Sequence, residues 1–297
     1  MSRSFPYLVV AAFSKGPFNG NPAAAVFIDE NLETDTLMKI AANLNQPITS
    51  VIGPQIPSAD KTAAAFSIRW FTPTFHEIPI CGHGTMVAAR AIFEKGLVAD
   101  SVEVIELHTK TGGVMKARKV ATDGVGIEIR LPSGTLTDVS SEERPKIAAA
   151  VSKAFGRNVA IKYIGAGGKG FENYVMVELD EQEKLGKSEV DAVALLDTGY
   201  TINVITTASS SGEELFVSRM FAPVVIPPPF EDQVCGSAHC LTGPYWHQKN
   251  SLATDQAFDA KMVSSRGGDL NVFWDQTAAV IALKGETFVM ASGEIYI

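Results

Sequence analysis

Short apolar runs separated by turn residues dominate this chain, and they predict strands more often than helices. Leu8–Phe13 and Ala23–Ile28, rich in Val, Ala and Phe, flank Asn19-Gly20-Asn21-Pro22 and read as strand, loop, strand. Further strands are expected at Phe66–Phe71, Val102–His108, Gly113–Lys119 and Gly126–Leu131. Beyond the midpoint they are expected at Val159–Ile164, Asn173–Val177, Thr201–Thr207 and Leu215–Phe221. The tail predicts an alternation of strand and turn, with strands at Val272–Trp274, Ala278–Leu283 and Phe288–Met290. Helical spacing is confined to a few stretches. Leu37, Ala41 and Leu44 mark a helix over Asp35–Leu44 that stops at Asn45-Gln46-Pro47. An Ala-rich helix is expected over Gly82–Lys95, one with Ile147, Val151 and Ala154 on a single face over Glu142–Phe155, and a short one at Val190–Leu196. Cys235–His247 starts as a helix that Gly243-Pro244 is expected to break or kink.

One phrase occurs twice in this pattern. Arg69-Trp-Phe71-Thr-Pro73, then Glu77, then Cys81-Gly82-His83-Gly84 is matched by Arg219-Met-Phe221-Ala-Pro223, then Glu231, then Cys235-Gly236-Ser237-Ala238. The copies lie about half the chain apart. A repeat of that period implies two similar lobes. Leu131-Pro132-Ser133-Gly134 is the best candidate linker. The expected fold is therefore α+β, with several strands around a helix in each half. The N-terminal lobe is assigned to residues 1–132 and the C-terminal lobe to 133–284.

Composition narrows the function. The chain has 297 residues, 46% hydrophobic and 20% charged, with a net charge of −8, which is ordinary for a globular protein. No basic stripe is present, so nucleic acid is not an expected partner. No apolar run approaches the ~20 residues of a membrane span, and no membrane association is expected. The three cysteines, Cys81, Cys235 and Cys240, are an odd count without short-range pairing. They point to a reducing, cytoplasmic setting.

The duplicated cysteines carry the candidate chemistry. Each follows a strand and a loop and precedes a helix-like run. A thiol at a helix N-terminus feels partial positive charge, and on that ground its pKa is expected to fall. Gly82 and Gly236 follow directly, so backbone N–H groups can approach an anionic ligand. Two opposed thiols can remove a proton from a carbon next to a carbonyl and return one on the other face. His83 and Ser237 occupy the same place in the two copies, where each can contact substrate or cap its helix. Glu77 and Glu231 are read as loop-orienting residues that pair with Arg69 and Arg219. Asp232 next to Glu231 makes an acidic pair ahead of Cys235, and one of the two can act as acid or base. Cys240 has no counterpart, since Met86 holds that place, and it reads as core packing. A metal site is the competing chemistry: Cys81-x-His83 and Cys235-x-x-x-His239-Cys240 offer enough ligands for zinc, but not in the usual paired C-x-x-C spacing. No metal and no cofactor is expected, and no glycine fingerprint for a nucleotide is present.

These motifs resemble those of the phenazine-biosynthesis F-like family. Asn19-Gly20-Asn21-Pro22-Ala-Ala-Ala-Val26 is similar to its G-N-P-A-A-V element. Phe71-Thr-Pro73 with Glu77-Ile-Pro-Ile-Cys81-Gly-His83-Gly-Thr85 resembles its central motif. Glu231-Asp232-Gln-Val-Cys235-Gly-Ser237-Ala-His239, with Pro244-Tyr-Trp246, resembles its third. The resemblance implies a diaminopimelate-epimerase-like fold: two pseudo-symmetric lobes, each a barrel-like sheet wrapped around a central helix, with the active site in the cleft between them. It also implies that a last strand, at 285–297, returns to the first lobe.

Two departures matter. Members resembling the phenazine isomerase carry Glu in an N-L-S-E segment, where this chain has Asn43-Leu44-Asn45-Gln46. Those members also lack the cysteine pair, which the epimerases and racemases of the same fold possess. The expected function is accordingly a cofactor-independent isomerase of epimerase or racemase type, acting on a small molecule. Cys81 and Cys235 are the acid/base pair, and Gln46, Gly82, His83, Asp232, Gly236 and Ser237 bind substrate. A proton-shift isomerase of an unsaturated acid, a dehydratase and a non-catalytic small-molecule binder are the alternatives. A homodimer is compatible with the chain.

Overall fold

The computed structural model describes residues 3–60, 62–120 and 126–297. The first half runs β1 (Ser4–Ala12), β2 (Asn21–Phe27), α1 (Thr34–Leu44), β3 (Thr49–Ile56), β4 (Ala63–Phe71), β5 (Glu77–Ile78), α2 (Gly82–Glu94), β6 (Val104–Thr109), β7 (Val114–Lys119) and β8 (Gly126–Pro132). The second runs β9 (Leu136–Asp138), α3 (Glu143–Ala154), β10 (Ile161–Gly167), β11 (Tyr174–Leu179), a 3-10 helix (Ala192–Thr198), β12 (Ile202–Ala208), β13 (Phe216–Phe221), β14 (Glu231–Asp232), α4 (Gly236–Lys249), β15 (Phe258–Met262), β16 (Gly268–Asp275) and β17 (Val280–Tyr296). The chain divides into two compact units, one ending at Arg130 and regaining Leu283–Ile297, the other spanning Leu131–Ala282.

The first unit is a closed eight-stranded barrel. Antiparallel pairs β1–β2, β3–β4, β6–β7 and β7–β8 alternate with the parallel pairs β2–β3 and β4–β6. The long β17 pairs with β8 and with β1 to close the ring. Each parallel step needs a long crossover, and α1 and α2 supply them. Helix α1 turns Leu37, Ile40 and Ala41 onto Val26, Val51 and Phe71 and ends at Asn45, whose φ of 48° is left-handed. Helix α2 is buried almost all round, from His83 to Ile92, and packs on β1, β2, β3 and β7. A helix without a polar face belongs in an interior, and its run of alanines keeps it slim enough for the barrel lumen.

The second unit repeats the plan. Antiparallel β10–β11, β12–β13 and β15–β16 alternate with parallel β11–β12 and β13–β15, and β9 flanks β10. Helix α4 corresponds to α2 and is likewise buried along most of its length. Trp246 donates to Thr206 Oγ1 in β12 at 3.0 Å and stacks on Phe216 of β13. Helix α3 and the 3-10 helix share an apolar cluster built on Ile147, Val151 and Leu195.

Two expectations change. Helix α4 does not break at Pro244 but continues to Lys249. The proline leaves the Cys240 carbonyl without its intrahelical donor, and the N–H of Gly134 takes that carbonyl at 2.9 Å. The units divide at Arg130/Leu131, where the candidate linker begins, and Gly134 in it is closely packed: a Cβ there would lie 2.6 Å from Leu241 and 2.8 Å from Phe171. The tail is not strand and turn in alternation beyond residue 280, because β17 is one strand of 17 residues, with a register shift opposite Val9/Val10. Strands β3 and β15 were not expected; Gly53-Pro54 masks the first as a turn. No helix among the described residues is long and apolar enough to cross a membrane.

Candidate active site

The duplicated phrase folds into the same device in both units. In the first, Arg69 on β4 grips Glu77 on β5 through two hydrogen bonds of 2.7 Å and lies 4.9 Å from the centre of the Phe71 ring. In the second, Arg219 on β13 grips Glu231 on β14 at 2.6 and 2.9 Å and lies 4.9 Å from the Phe221 ring centre. The strands are in equal register, with Phe71 opposite Glu77 and Phe221 opposite Glu231. Each clamp fixes a two-residue strand, and four residues after each glutamate the chain enters a buried helix. The cysteines themselves, in extended conformation, are the N-cap residues of α2 and α4. His83 and Ser237 stand in the first turns and do not cap.

Around Cys81 the sulfur accepts the Gly84 N–H at 3.3 Å and lies 3.5 Å from His83 Nδ1. Thr85 Oγ1 donates to the Cys81 carbonyl, and Ser50 Oγ on β3 donates to that of Gly84. Only glycine fits at position 84, because a Cβ there would stand 2.8 Å from the Trp70 ring and 3.1 Å from the Cys81 sulfur. His83 Nε2 is buried with no hydrogen-bond partner among the described residues. Gln46, in the loop before β3, donates to the Leu44 carbonyl at 3.2 Å.

Around Cys235 the backbone N–H points at Met262 Sδ, 2.9 Å away. The sulfur lies 3.2 Å from Ser237 Oγ, and Tyr174 on β11 donates its hydroxyl proton to that same oxygen at 2.8 Å. His239 Nδ1 donates to the Cys235 carbonyl at 2.8 Å. Tyr174 is a site neighbour that sequence reasoning missed, and His239, read there only as a candidate metal ligand and part of a motif, is a second neighbour of Cys235. The repeat held a signal for the first: Tyr174 opens β11 as Asn21 of the Gly-Asn-Pro turn opens β2.

The expectation that helix termini lower both thiol pKa values does not hold at Cys235. Both cysteines are buried, 8% and 4% exposed. Burial pushes the Cys235 thiol well above its ordinary value, and the Asp232 carboxylate pushes it further. Loss of hydration outweighs the half-charge of a helix terminus. Cys240 is carried up to about 12 by burial and packs in the core of its unit.

Burial also lowers His83 and His239 to about 4. An unfolded histidine titrates near 6.5, so the unfolded state binds more protons in between. Stability is therefore expected to fall as pH drops from about 6.5 to about 4, with up to about two protons taken up on unfolding. Urea unfolding across that window checks this, and His239→Asn should flatten the slope.

The profile of the phenazine biosynthesis-like proteins (PhzC-PhzF) matches residues 10–293. An uncharacterized isomerase of Halalkalibacterium halodurans is 30% identical over 268 residues, 90% of each chain. A PhzF-family crystal structure from Enterococcus faecalis superposes with a TM-score of 0.80 at 27% identity, covering 99% of this chain and 100% of that one. A hydroxyproline epimerase from Agrobacterium vitis shares the fold, with a TM-score of 0.59 at 14% identity over 99% of this chain and 91% of that one.

Proposed function

The chain belongs to the phenazine biosynthesis-like (PhzC-PhzF) family and is an isomerase, and we propose that it works as a cofactor-independent epimerase or racemase with Cys81 and Cys235 as its two acid/base groups. The observation that carries this reading is the N-cap cysteine at the head of a buried helix in both units, each held by the same Arg–Glu clamp. Two inert core cysteines have no need of one identical setting. The fold shared with a hydroxyproline epimerase is in keeping with it.

The chemistry is a balanced exchange of protons. Cys81, whose sulfur already accepts an N–H, starts as the thiolate and takes the proton from the substrate carbon. The resulting enolate electron pair takes the proton of Cys235, which burial and Asp232 keep as a thiol. The turnover ends with Cys81 protonated and Cys235 as the thiolate, and exchange of protons between the two thiols and solvent, or a turnover in the opposite direction, restores the start. The first-turn N–H groups at Gly82 and His83 and at Gly236 and Ser237 have no intrahelical acceptor and suit the carboxylate and the developing enolate. His83, neutral above about 4, contacts substrate as an imidazole, and Gln46 as an amide. The substrate class is a small acid whose C–H lies next to a carbonyl or carboxylate.

Incubation in D₂O with a panel of amino and hydroxy acids tests the reading. At least one acid should exchange its α-hydrogen and invert, and Cys81→Ser and Cys235→Ser should each abolish the inversion. Inversion that survives both substitutions refutes it. Asp232 beside Cys235 favours one rival, a proton shift on an unsaturated acid. Under the two-thiol reading Gln46→Glu creates no such activity and raises KM for an anionic substrate by about tenfold through like-charge repulsion. A new proton-shift turnover in Gln46→Glu that persists after both cysteines are replaced by serine would favour the rival.

A further inference from the structure

The two thiols differ in how a negative sulfur is accommodated. Cys81 Sγ receives the N–H of Gly84 across its own helix cap. At Cys235 the Ala238 N–H holds the equivalent place and favours the ionised sulfur, but less than the Ser237 hydroxyl does, and no side-chain capping bond is closed. Yet a two-base turnover leaves Cys235 as the thiolate, in surroundings that oppose the charge. Asp232 on β14 repels it, and Cys240 on α4 is a second buried thiol. His239 on α4 is neutral above about 4 and spends its Nδ1–H on the Cys235 carbonyl. From β15 the Met262 thioether takes the Cys235 backbone N–H. Besides the Ala238 N–H, the larger favourable group is Ser237, with Tyr174 of β11 behind it.

We propose that Tyr174 is a positioning residue that acts through Ser237 to stabilise the thiolate of Cys235. A serine hydroxyl has one proton and two lone pairs. Tyr174 donates to one lone pair at 2.8 Å. When Cys235 is a thiol, its S–H can donate to the other. When Cys235 has given up its proton, the Ser237 O–H turns to the sulfur 3.2 Å away, and the Tyr174 donation strengthens that bond because hydrogen bonds in series polarise one another. Tyr174 suits the part. Burial, and next the neighbouring Cys235, hold its pKa far above that of free tyrosine, so it stays a donor. Its ring is seated edge-on against Phe171, centroids 5.3 Å apart. No proton has to pass along the chain; two hydroxyls reorient the charge they face. The first unit has His83 in the place of Ser237, so this hydroxyl support belongs to one thiol only.

This inference rests on Cys235 being a working acid and base, but its test needs no substrate. In a Cys81→Ser/Cys240→Ala background Cys235 is the only thiol of the chain's three. The rate of its alkylation by iodoacetamide at one fixed pH, read by intact mass, reports its thiolate fraction. Tyr174→Phe should slow that rate about three- to tenfold, the worth of weakening one hydrogen bond to a charged group. Ser237→Ala should slow it at least as much, and adding Tyr174→Phe to Ser237→Ala should change nothing more, since the support runs through the serine. With Cys81 as the only thiol, Tyr174→Phe should leave alkylation unchanged, which a general loosening of the fold would not. An unchanged rate in Tyr174→Phe, further slowing in the double substitution, or a Cys235 inert in the parent would overturn the proposal. Turnover retained in Cys235→Ser would instead sink the two-thiol reading and leave the alkylation result standing.

Discussion

Cys81→Ser and Cys235→Ser each lose about 10²–10⁴-fold or more in turnover while the protein stays folded, because a positioned acid or base is removed from each half-reaction. The physical grounds for separating activity from stability lie in the cap positions. Serine is among the preferred N-cap residues. At position 81 its oxygen can accept the Gly84 N–H that the sulfur accepts now, so α2 keeps its start. At position 235 the backbone is equally extended. A serine hydroxyl, with a pKa far above that of a thiol, keeps the shape and loses the proton chemistry. Cys240→Ser is the control: it removes a core thiol bonded weakly to the Gly236 carbonyl and should cost some stability and little turnover. Turnover at saturating substrate, alongside thermal unfolding of the same samples, checks all three. Near-normal turnover in both Cys81→Ser and Cys235→Ser would remove the two-thiol mechanism.

Arg219→Met is expected to destabilise the protein by about 3–5 kcal/mol, since it leaves the Glu231 carboxylate buried without its partner. The Arg219 and Glu231 side chains are 11% and 6% exposed, and Arg219 also donates to the Ser188 carbonyl at 2.6 Å. The matching change in the first unit, Arg69→Met, should cost only about 1 kcal/mol, because partly exposed pairs contribute little and those side chains are 20% and 27% exposed. Replacing both partners, Arg219→Met with Glu231→Leu, should recover most of the loss, as two apolar side chains leave no orphaned charge. Urea unfolding of the three variants checks the order. Equal costs in the two units would show that burial does not set the value of the clamp. Because Glu231 lies four residues before Cys235, Arg219→Met should also lower turnover in molecules that remain folded.

The clamps explain why so much of the fold was legible. Arg-x-Phe-x-Pro and Glu-x-x-x-Cys recur in the same order, joined by spacers of different length, and each Arg finds its Glu within about a dozen residues, so the strand, the short return strand and the helix start can be read from the string. The buried helix α2 was legible from its alanines, and the family from motifs placed along the whole chain. What could not be read depends on partners far away. Helix α4 survives Pro244 only because Gly134, more than a hundred residues earlier, supplies the missing N–H. Strand β3 hides behind Gly53-Pro54 and is identified by its ladders to β2 and β4. The unbroken β17 is held by β1 and β8, not by its own residues. At the site, sequence placed the thiols at helix starts but not their depth, and depth decides the direction of the Cys235 pKa. Tyr174 stood in no motif; it reaches Ser237 only through the folding of β11 beside α4.

The most direct measurement of the central claim is where deuterium goes. With a chiral acid that the exchange panel identifies as substrate, the reaction is run in D₂O and stopped at low conversion. Two thiols acting from opposite faces take the substrate proton with one and deliver a solvent-derived deuteron with the other. The account predicts deuterium at the α-carbon of the inverted product and almost none in the recovered starting isomer. Equal labelling of both isomers from the earliest times would mean that one base serves both faces, and would contradict it.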